Sequence, residues 1–372
     1  MNDAHERTPA GLPRARTLGV EWVGTPGEWN SITDVPGVAV GYRTIVDGDD
    51  VRTGVTTVVP RPDDPGDPVA AGVHSMNGNG EMTGVSWITE SGTTALPITI
   101  TNTHAVGIAH AGTCAWAARR HPELADGWFL PVAAETWDGY LNDIHAEAVT
   151  VEHVVEAIDG ARTGPIDEGS VGGGTSMNCY HYAGGSGTAS RIVPYGDSTF
   201  TVGVFVQANF GVRHELTIAG RHLGPQLLDD NPLAGGAIAP VGAGSIIVVV
   251  VTDAPLLPGQ CAALARRVPL GLARTGTTGS HYSGDLFVAL STANPGAFTP
   301  GIAAATARAA GRLDQLDFLP WGCLDPFFTA VVHAVEEAVI DSIVANVEST
   351  GRGGRRVPAL PLDRVRALLA SR

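Results

Sequence analysis

The chain contains no lysine. All 23 basic residues among its 372 are arginine, which removes the phosphate-cradling lysine of P-loop proteins, Schiff-base catalysis and a serine–lysine dyad. Any general base has to be another group. Charge of either sign is sparse, at 16% of residues, and it leans acidic, with a net charge of −15. Nucleic-acid-binding chains carry a basic patch. The nearest approach here is Arg352, Arg355 and Arg356 in a glycine-rich stretch, read as a solvated linker, so no nucleic-acid partner is expected. Cysteine is scarce too: Cys114, Cys179, Cys261 and Cys323 are far apart and form no CxxC pair. That spacing argues against a zinc site or a disulfide framework and for buried, reduced thiols. No metal or cofactor is expected. No apolar run reaches transmembrane length and the first residues lack a hydrophobic signal core. No membrane partner and a cytoplasmic location are the expectations.

What remains is apolar and glycine-rich. Hydrophobic residues make up 44%, and the 48 glycines follow no collagen-like period. They recur in clusters between apolar runs, the pattern of a large buried core with many tight loops. Residues 1–18 read as a flexible leader, and 19–372 as one domain without an internal linker.

Strands are predicted at 96–101 (LPITIT), 200–207 (FTVGVFVQ), 245–252 (SIIVVVVT) and 285–291 (DLFVALS). The third is almost continuously β-branched, as expected of a strand covered on both faces. Helices are predicted at 105–120, 150–159, 258–272 and from Asp325 to about Val347, with a short one at 363–371. In the long helix Val331, Val335, Val339 and Ile343 mark one apolar stripe. Residues 349–358 read as loop. Strands and helices mix without strict βαβ alternation, which points to layered α+β architecture.

Three glycine-rich motifs invite chemistry. NGNGEMTG at 77–84 has the wrong spacing for a dinucleotide fingerprint, and the strand-like GVSWITE follows it. A turn joining two strands is the reading from pattern alone. The glycines of GSVGGGTS at 169–176 let backbone approach either a ligand or a neighbouring strand. GAGS at 242–245 opens the most buried-looking strand. A Gly244–Ser245 bond suits an internal N→O acyl shift, because glycine leaves the serine hydroxyl unobstructed. Cleavage there frees an α-amine with a pKa of about 7.7–8.0, well placed for a general base at neutral pH. Nucleophile and base then sit on one residue, as in N-terminal threonine enzymes. Ser283 and Asp285, ahead of the next strand, are positioned to hold that amine and relay its proton.

Eight segments in order resemble the P1 (S58) peptidase family, the group of L-aminopeptidase/D-esterase/amidases and β-peptidyl aminopeptidases. They are ITDVPGVAVGYRT (32–44), NGNGEMTG (77–84), ITNTHAVG (100–107), AETWDGYLND (134–143), EGSVGGGTSM (168–177), VQANFG (206–211), GSIIVVVVTDAPLLP (244–258) and SGDLFVALST (283–292). The resemblance covers about residues 30–345. It implies a four-layer α/β/β/α sandwich, similar to the N-terminal-nucleophile hydrolases. It also implies a precursor that cuts itself before Ser245 into chains 1–244 and 245–372, and assembly as a homo-oligomer of cleaved heterodimers. Residue by residue, it makes Ser245 the nucleophile, Ser283 and Asp285 its partners, Asn209 the oxyanion-binding asparagine and Tyr140 a further catalytic residue. In the same segment, Glu135 is expected to bind the substrate amino group and Trp137 to line its pocket, with a cation–π face available. The expected substrates are small peptides, amides or esters with a free amine, with L-α, D and β residues all open. Ser176, Asn178 and Ser186 depart from the family pattern and are expected to touch substrate preference or packing, not the Ser245 constellation. Two other readings are a binding protein that keeps the fold without processing, and a transferase on a related fold, which would use threonine where this chain has serine.

Overall fold

The computed structural model describes residues 3–124, 127–234, 242–298 and 315–371. Its centre is the strand Gly244–Thr252, whose side chains from Ser245 to Thr252 are all buried. Alternation sends Ile246, Val248 and Val250 into one apolar cluster and Ile247, Val249 and Val251 into another. Each such side chain contributes roughly 1.5–3 kcal/mol on burial, which is why a β-branched run without polar alternation settles here. This strand lies inside a six-stranded sheet, ordered Thr93–Thr94, Val69–Gly78, Ser283–Ser291, Gly244–Thr252, Ser198–Asn209 and Gly185–Tyr195. Its pairing with Ser283–Ser291 is parallel and with Ser198–Asn209 antiparallel.

A second sheet, ordered Ala39–Asp47, Val51–Val59, Ile98–Asn102 and Ala133–Thr136, faces the first. Val58, Ile98, Ile100 and Ala134 of this sheet share a core with Phe205, Ile247, Val249 and Val288 of the other. The outer face of the six-stranded sheet packs on the helix Asp325–Val344 through Val331, Val335 and Val339. The outer face of the four-stranded sheet packs on Val106–Arg120 and Val151–Asp159 through Val55, Trp116 and Val154. The layers run α/β/β/α, as expected from the resemblance.

Three local expectations are corrected. Val85–Ser91 is a helix, not a strand. Its β-branched content favours a strand, but Gly84 (φ 78°) and Gly92 (φ 71°) bound it in the left-handed conformation, and Gly92 N–H closes the last turn on the Ile88 carbonyl at 2.8 Å. That is a glycine C-terminal stop. NGNGEMTG therefore joins a strand to a helix. Residues 349–358 hold a small hairpin, Ser349–Gly351 with Arg355–Val357, and Arg356 pairs with Asp230 and Glu348. The described part of the leader, residues 3–18, is fastened to the body. Arg14 is buried and bonds Glu168 at 2.5 Å and Asp341 at 3.1 Å, and the Ala15 N–H donates to Asp341 at 2.5 Å. Glu337, one turn earlier on the same helix, receives Arg16 at 2.8 Å, Arg191 at 2.6 Å and the Asn30 amide at 2.8 Å. Buried carboxylates persist only when paired and hydrogen-bonded, and the N-terminal segment supplies the pairing.

The glycines of 172–174 serve a neighbouring strand. A Cβ on Gly173 would stand 2.3 Å from Gln207 Oε1 and 2.5 Å from the Ile100 carbonyl. The Gly172 and Gly173 N–H groups donate to Thr44 at 2.8 Å and Thr56 at 2.9 Å.

Candidate active site

Ser245 and Asn209 sit directly opposite each other on antiparallel strands. Such pairs project to the same face with Cβ atoms about 4.5–5.5 Å apart. Alternation aims both toward the four-stranded sheet, on the side of Ile247 and Val249. There the Trp137 N–H donates to Ser245 Oγ at 3.0 Å. Among the described residues that hydroxyl donates to no partner, so its proton is available for transfer.

Gly244 precedes Ser245 for a steric reason. A Cβ on it would lie 2.3 Å from the Asn209 carbonyl oxygen. The neighbouring parallel strand pairs Gly244 with Ser283 and Ser245 with Gly284. Ser283 Oγ donates to Asp285 Oδ1 at 2.6 Å, and Asn77 Nδ2 donates to Oδ2 at 2.8 Å. Burial raises the Asp285 pKa above the ordinary carboxylate value, opposed by these two bonds. Ser283 and Asp285 share alternation with Phe287 and Ala289, on the sheet face opposite the Ser245 hydroxyl. They therefore adjoin the Gly244–Ser245 backbone, not Oγ.

A cleft of about 360 Å³ opens over this strand end. Asn79, Gly80, Glu81, Thr103, Glu135, Trp137, Gly244, Ser245 and Tyr282 line it. Glu135 is buried in its wall, at the end of the strand Ala133–Thr136. One carboxylate oxygen accepts the Glu81 N–H at 2.9 Å and the other accepts the Thr103 hydroxyl. Burial raises its pKa, opposed by the Thr103 and Glu81 bonds. A carboxylate held this way, with a cleft in front of it, is a site for a cation.

The structure thus brings Gly244, Ser245, Asn209, Glu135 and Trp137 together, with Ser283 and Asp285 one strand away. Tyr140 does not itself line the cleft, but it belongs to the cluster against which the wall residue Trp137 packs. It is buried with Leu141, Ala183 and Val357, beneath the Arg355 guanidinium at 5.8 Å. Ser176 and Ser186 make packing bonds, to the Arg52 and Val171 carbonyls at 2.6 and 3.1 Å. Asn178 is a correction: its N–H and its side-chain amide donate to Asn209 Oδ1 at 3.0 and 3.2 Å, so it touches the constellation directly. Sequence reading also passed over Asn77, Thr103 and Tyr282. Asn77 and Thr103 lay within the matched segments, but nothing local says whom they bond.

Comparison with known proteins places this arrangement. Two facing sheets between helical layers are the architecture of an Ntn hydrolase fold variant among the solved structures. The structure is similar to that of L-aminopeptidase D-Ala-esterase/amidase from Ochrobactrum anthropi, described as a prototype of the serine aminopeptidases and a new variant of that fold. The TM-score is 0.88 and the identity 42%, over 96% of this chain and 98% of that one. It is similar also to a Burkholderia sp. β-aminopeptidase, with TM-score 0.86 and 40% identity over 96% and 99% of the chains. In sequence it is 42% identical to the β-peptidyl aminopeptidase BapA of Sphingosinicella microcystinivorans, over 96% of this chain and 92% of that one. The model of peptidase family S58 matches residues 30–357. The chain belongs to peptidase family S58 and is a hydrolase of the aminopeptidase/amidase class. Among the described residues, no helix is long and apolar enough to cross a membrane.

Proposed function

We propose that the chain is a self-processing serine aminopeptidase that releases amine-bearing N-terminal residues from small peptides, amides or esters. The carrying observation is that Gly244, Ser245 and Glu135 line one cleft while Asn209 stands opposite Ser245 in register. In maturation, Ser245 Oγ attacks the Gly244 carbonyl and the amide becomes an ester on that oxygen. Water then releases residues 1–244, leaving a free α-amine on Ser245. In turnover that amine takes the hydroxyl proton as Oγ attacks the substrate carbonyl, and returns it to the leaving group; water, deprotonated by the same amine, then hydrolyses the acyl ester on Oγ and restores the free serine. Ser283, held by Asp285, hydrogen-bonds the new amine from the far face of the sheet. Asn209 Nδ2 donates to the oxyanion. Glu135 receives the substrate ammonium and Trp137 lines its path. Tyr140 takes part by packing behind this wall.

The substrates to be tried are L-α, D and β residues, and aminoacyl p-nitroanilides of each type separate them. Oligomers of cleaved heterodimers in the cytoplasm complete the proposal. The free thiols of all four cysteines suit that compartment. A denaturing gel tests the central claim. The wild type is expected as two chains of about 244 and 128 residues, and Ser245→Ala as one inactive chain. Two chains from Ser245→Ala refute the assignment. One wild-type chain favours a binding protein that kept the fold.

A further inference from the structure

Asn209 can donate to an oxyanion only if its amide faces the cleft nitrogen-first. A primary amide flips readily, and a strand end does not by itself choose between the two orientations. Two donors choose here. The Asn178 N–H and the Asn178 side-chain Nδ2 both reach Asn209 Oδ1, at 3.0 and 3.2 Å. The backbone donor cannot become an acceptor. Flipping Asn209 would set its NH2 against that N–H and lose the backbone bond, and it would keep a side-chain bond only if the Asn178 amide turned as well. Among the described residues Asn209 Nδ2 makes no hydrogen bond, which leaves it for a ligand.

The segment carrying Asn178 is itself held in place. The pair Asn178–Cys179 and Tyr182–Ala183 forms a hairpin whose two turn residues, Tyr180 (φ 53°) and His181 (φ 59°), are both left-handed. Such turns ordinarily take Asn-Gly, and bulky residues in this conformation are strained. The Tyr180 N–H bonds the Phe210 carbonyl at 2.8 Å, next to Asn209. The Tyr180 ring packs edge-on against Phe210 at 5.4 Å, and its hydroxyl pairs with Thr275 at 2.7 Å.

We infer that Asn178 is a positioning residue for the hydrolytic reaction: it fixes the Asn209 amide with its nitrogen toward the cleft. The inference rests on the reading of Asn209 as the oxyanion donor. Asn178→Asp puts a carboxylate against Asn209 Oδ1, and flipping the Asn209 amide then relieves the repulsion and withdraws the donor. Asn178→Leu removes the side-chain donor and keeps the backbone one.

The experiment measures kcat and KM of purified two-chain protein on an aminoacyl p-nitroanilide. The variants are Asn178→Asp, Asn178→Leu, Asn209→Ala and both doubles. Asn209→Ala is expected to lower kcat about a hundredfold, the usual cost of one oxyanion donor. Asn178→Asp should approach that loss and Asn178→Leu lose several-fold, with KM within about twofold. Neither should add to the loss in the Asn209→Ala background, the non-additivity expected of two residues acting through one group. An unchanged kcat in Asn209→Ala sinks the reading of Asn209 and this inference with it. A costly Asn209→Ala beside a silent or fully additive Asn178→Asp overturns the inference alone. Should Asn178→Asp fail to fold or process, Asn178→Leu decides. A loss confined to the Asn209-containing background supports the role, and an equal loss in both overturns it.

Discussion

Replacing Glu135 by glutamine asks whether the cleft holds an amine. Both Glu135 oxygens are already engaged, by the Glu81 N–H and the Thr103 hydroxyl, so glutamine keeps the shape and the backbone bond. What it loses is the negative charge in front of the substrate ammonium. A hydrogen bond to a charged group is worth roughly 1.5–3 kcal/mol, so kcat/KM on a free aminoacyl amide should fall roughly ten- to 150-fold. The N-acetylated substrate has no cation to lose, and its rate should hardly change. The ratio of the two rates is therefore the assay, and it cancels general damage to the enzyme. Because burial raises the Glu135 pKa, protonation disables the wild-type site at a pH above the ordinary carboxylate range. The preference for the free amine should collapse as pH falls through that value, and Glu135→Gln should lack this limb. Normal processing with an unchanged preference ratio refutes the argument and moves the amine site elsewhere.

Two further outcomes concern the frame around the site. Arg14→Ala leaves Glu168 and Asp341 buried without their cation, and should cost about 3–5 kcal/mol in chemical denaturation. A loss under 1 kcal/mol would show that the N-terminal segment is not held by these charges. Asp138, buried beside Trp137 and bonded by the Asn142 amide at 2.9 Å, has its pKa pushed up from 3.8 to about 7, chiefly by burial. With the folded value raised, its contribution to stability is complete below the ordinary pKa and is lost as pH rises through about 7. Asp138→Asn should therefore melt higher relative to wild type at pH 8 than at pH 5. A difference independent of pH contradicts the shift.

Much of the fold is legible because its signals are local. The run from Ile246 to Val251 is apolar on both faces, and the structure gives each face its own core. The helix after Pro326 carries its stripe, and Val331, Val335, Val339 and Ile343 are buried. Where local content and context conflict, context decides. Val85, Ile88 and Thr89 favour a strand, yet two left-handed glycines and the burial of Ile88 make a helix. The leader misleads for another reason. Arg14 looks solvated in its own neighbourhood, and its partners Glu168 and Asp341 lie 154 and 327 residues away. The candidate site divides the same way. Motif resemblance names Ser245 and Asn209, and the need to pair a substrate ammonium adds Glu135, whereas Asn77, Thr103 and Asn178 matter through bonds that only the strand register and the turns create.

Register also explains why glycine flanks the site so tightly. A Cβ on Gly244 would meet the carbonyl of Asn209 at 2.3 Å, and one on Gly284 would meet the carbonyl of Asn79 at 2.4 Å. These two contacts tie together the backbone around the Gly244–Ser245 bond, the residue bearing the candidate oxyanion donor, and the turn that lines the cleft. A slip of one residue in the central strand would turn Ser245 to the opposite face, away from Trp137, and put Ser245 or Ala243, each with a Cβ, where Gly244 meets the Asn209 carbonyl. The glycines thus disfavour the alternative pairings. The requirement for glycine before the candidate nucleophile arises from packing as much as from the chemistry of cleavage. It holds whether or not the bond is cut.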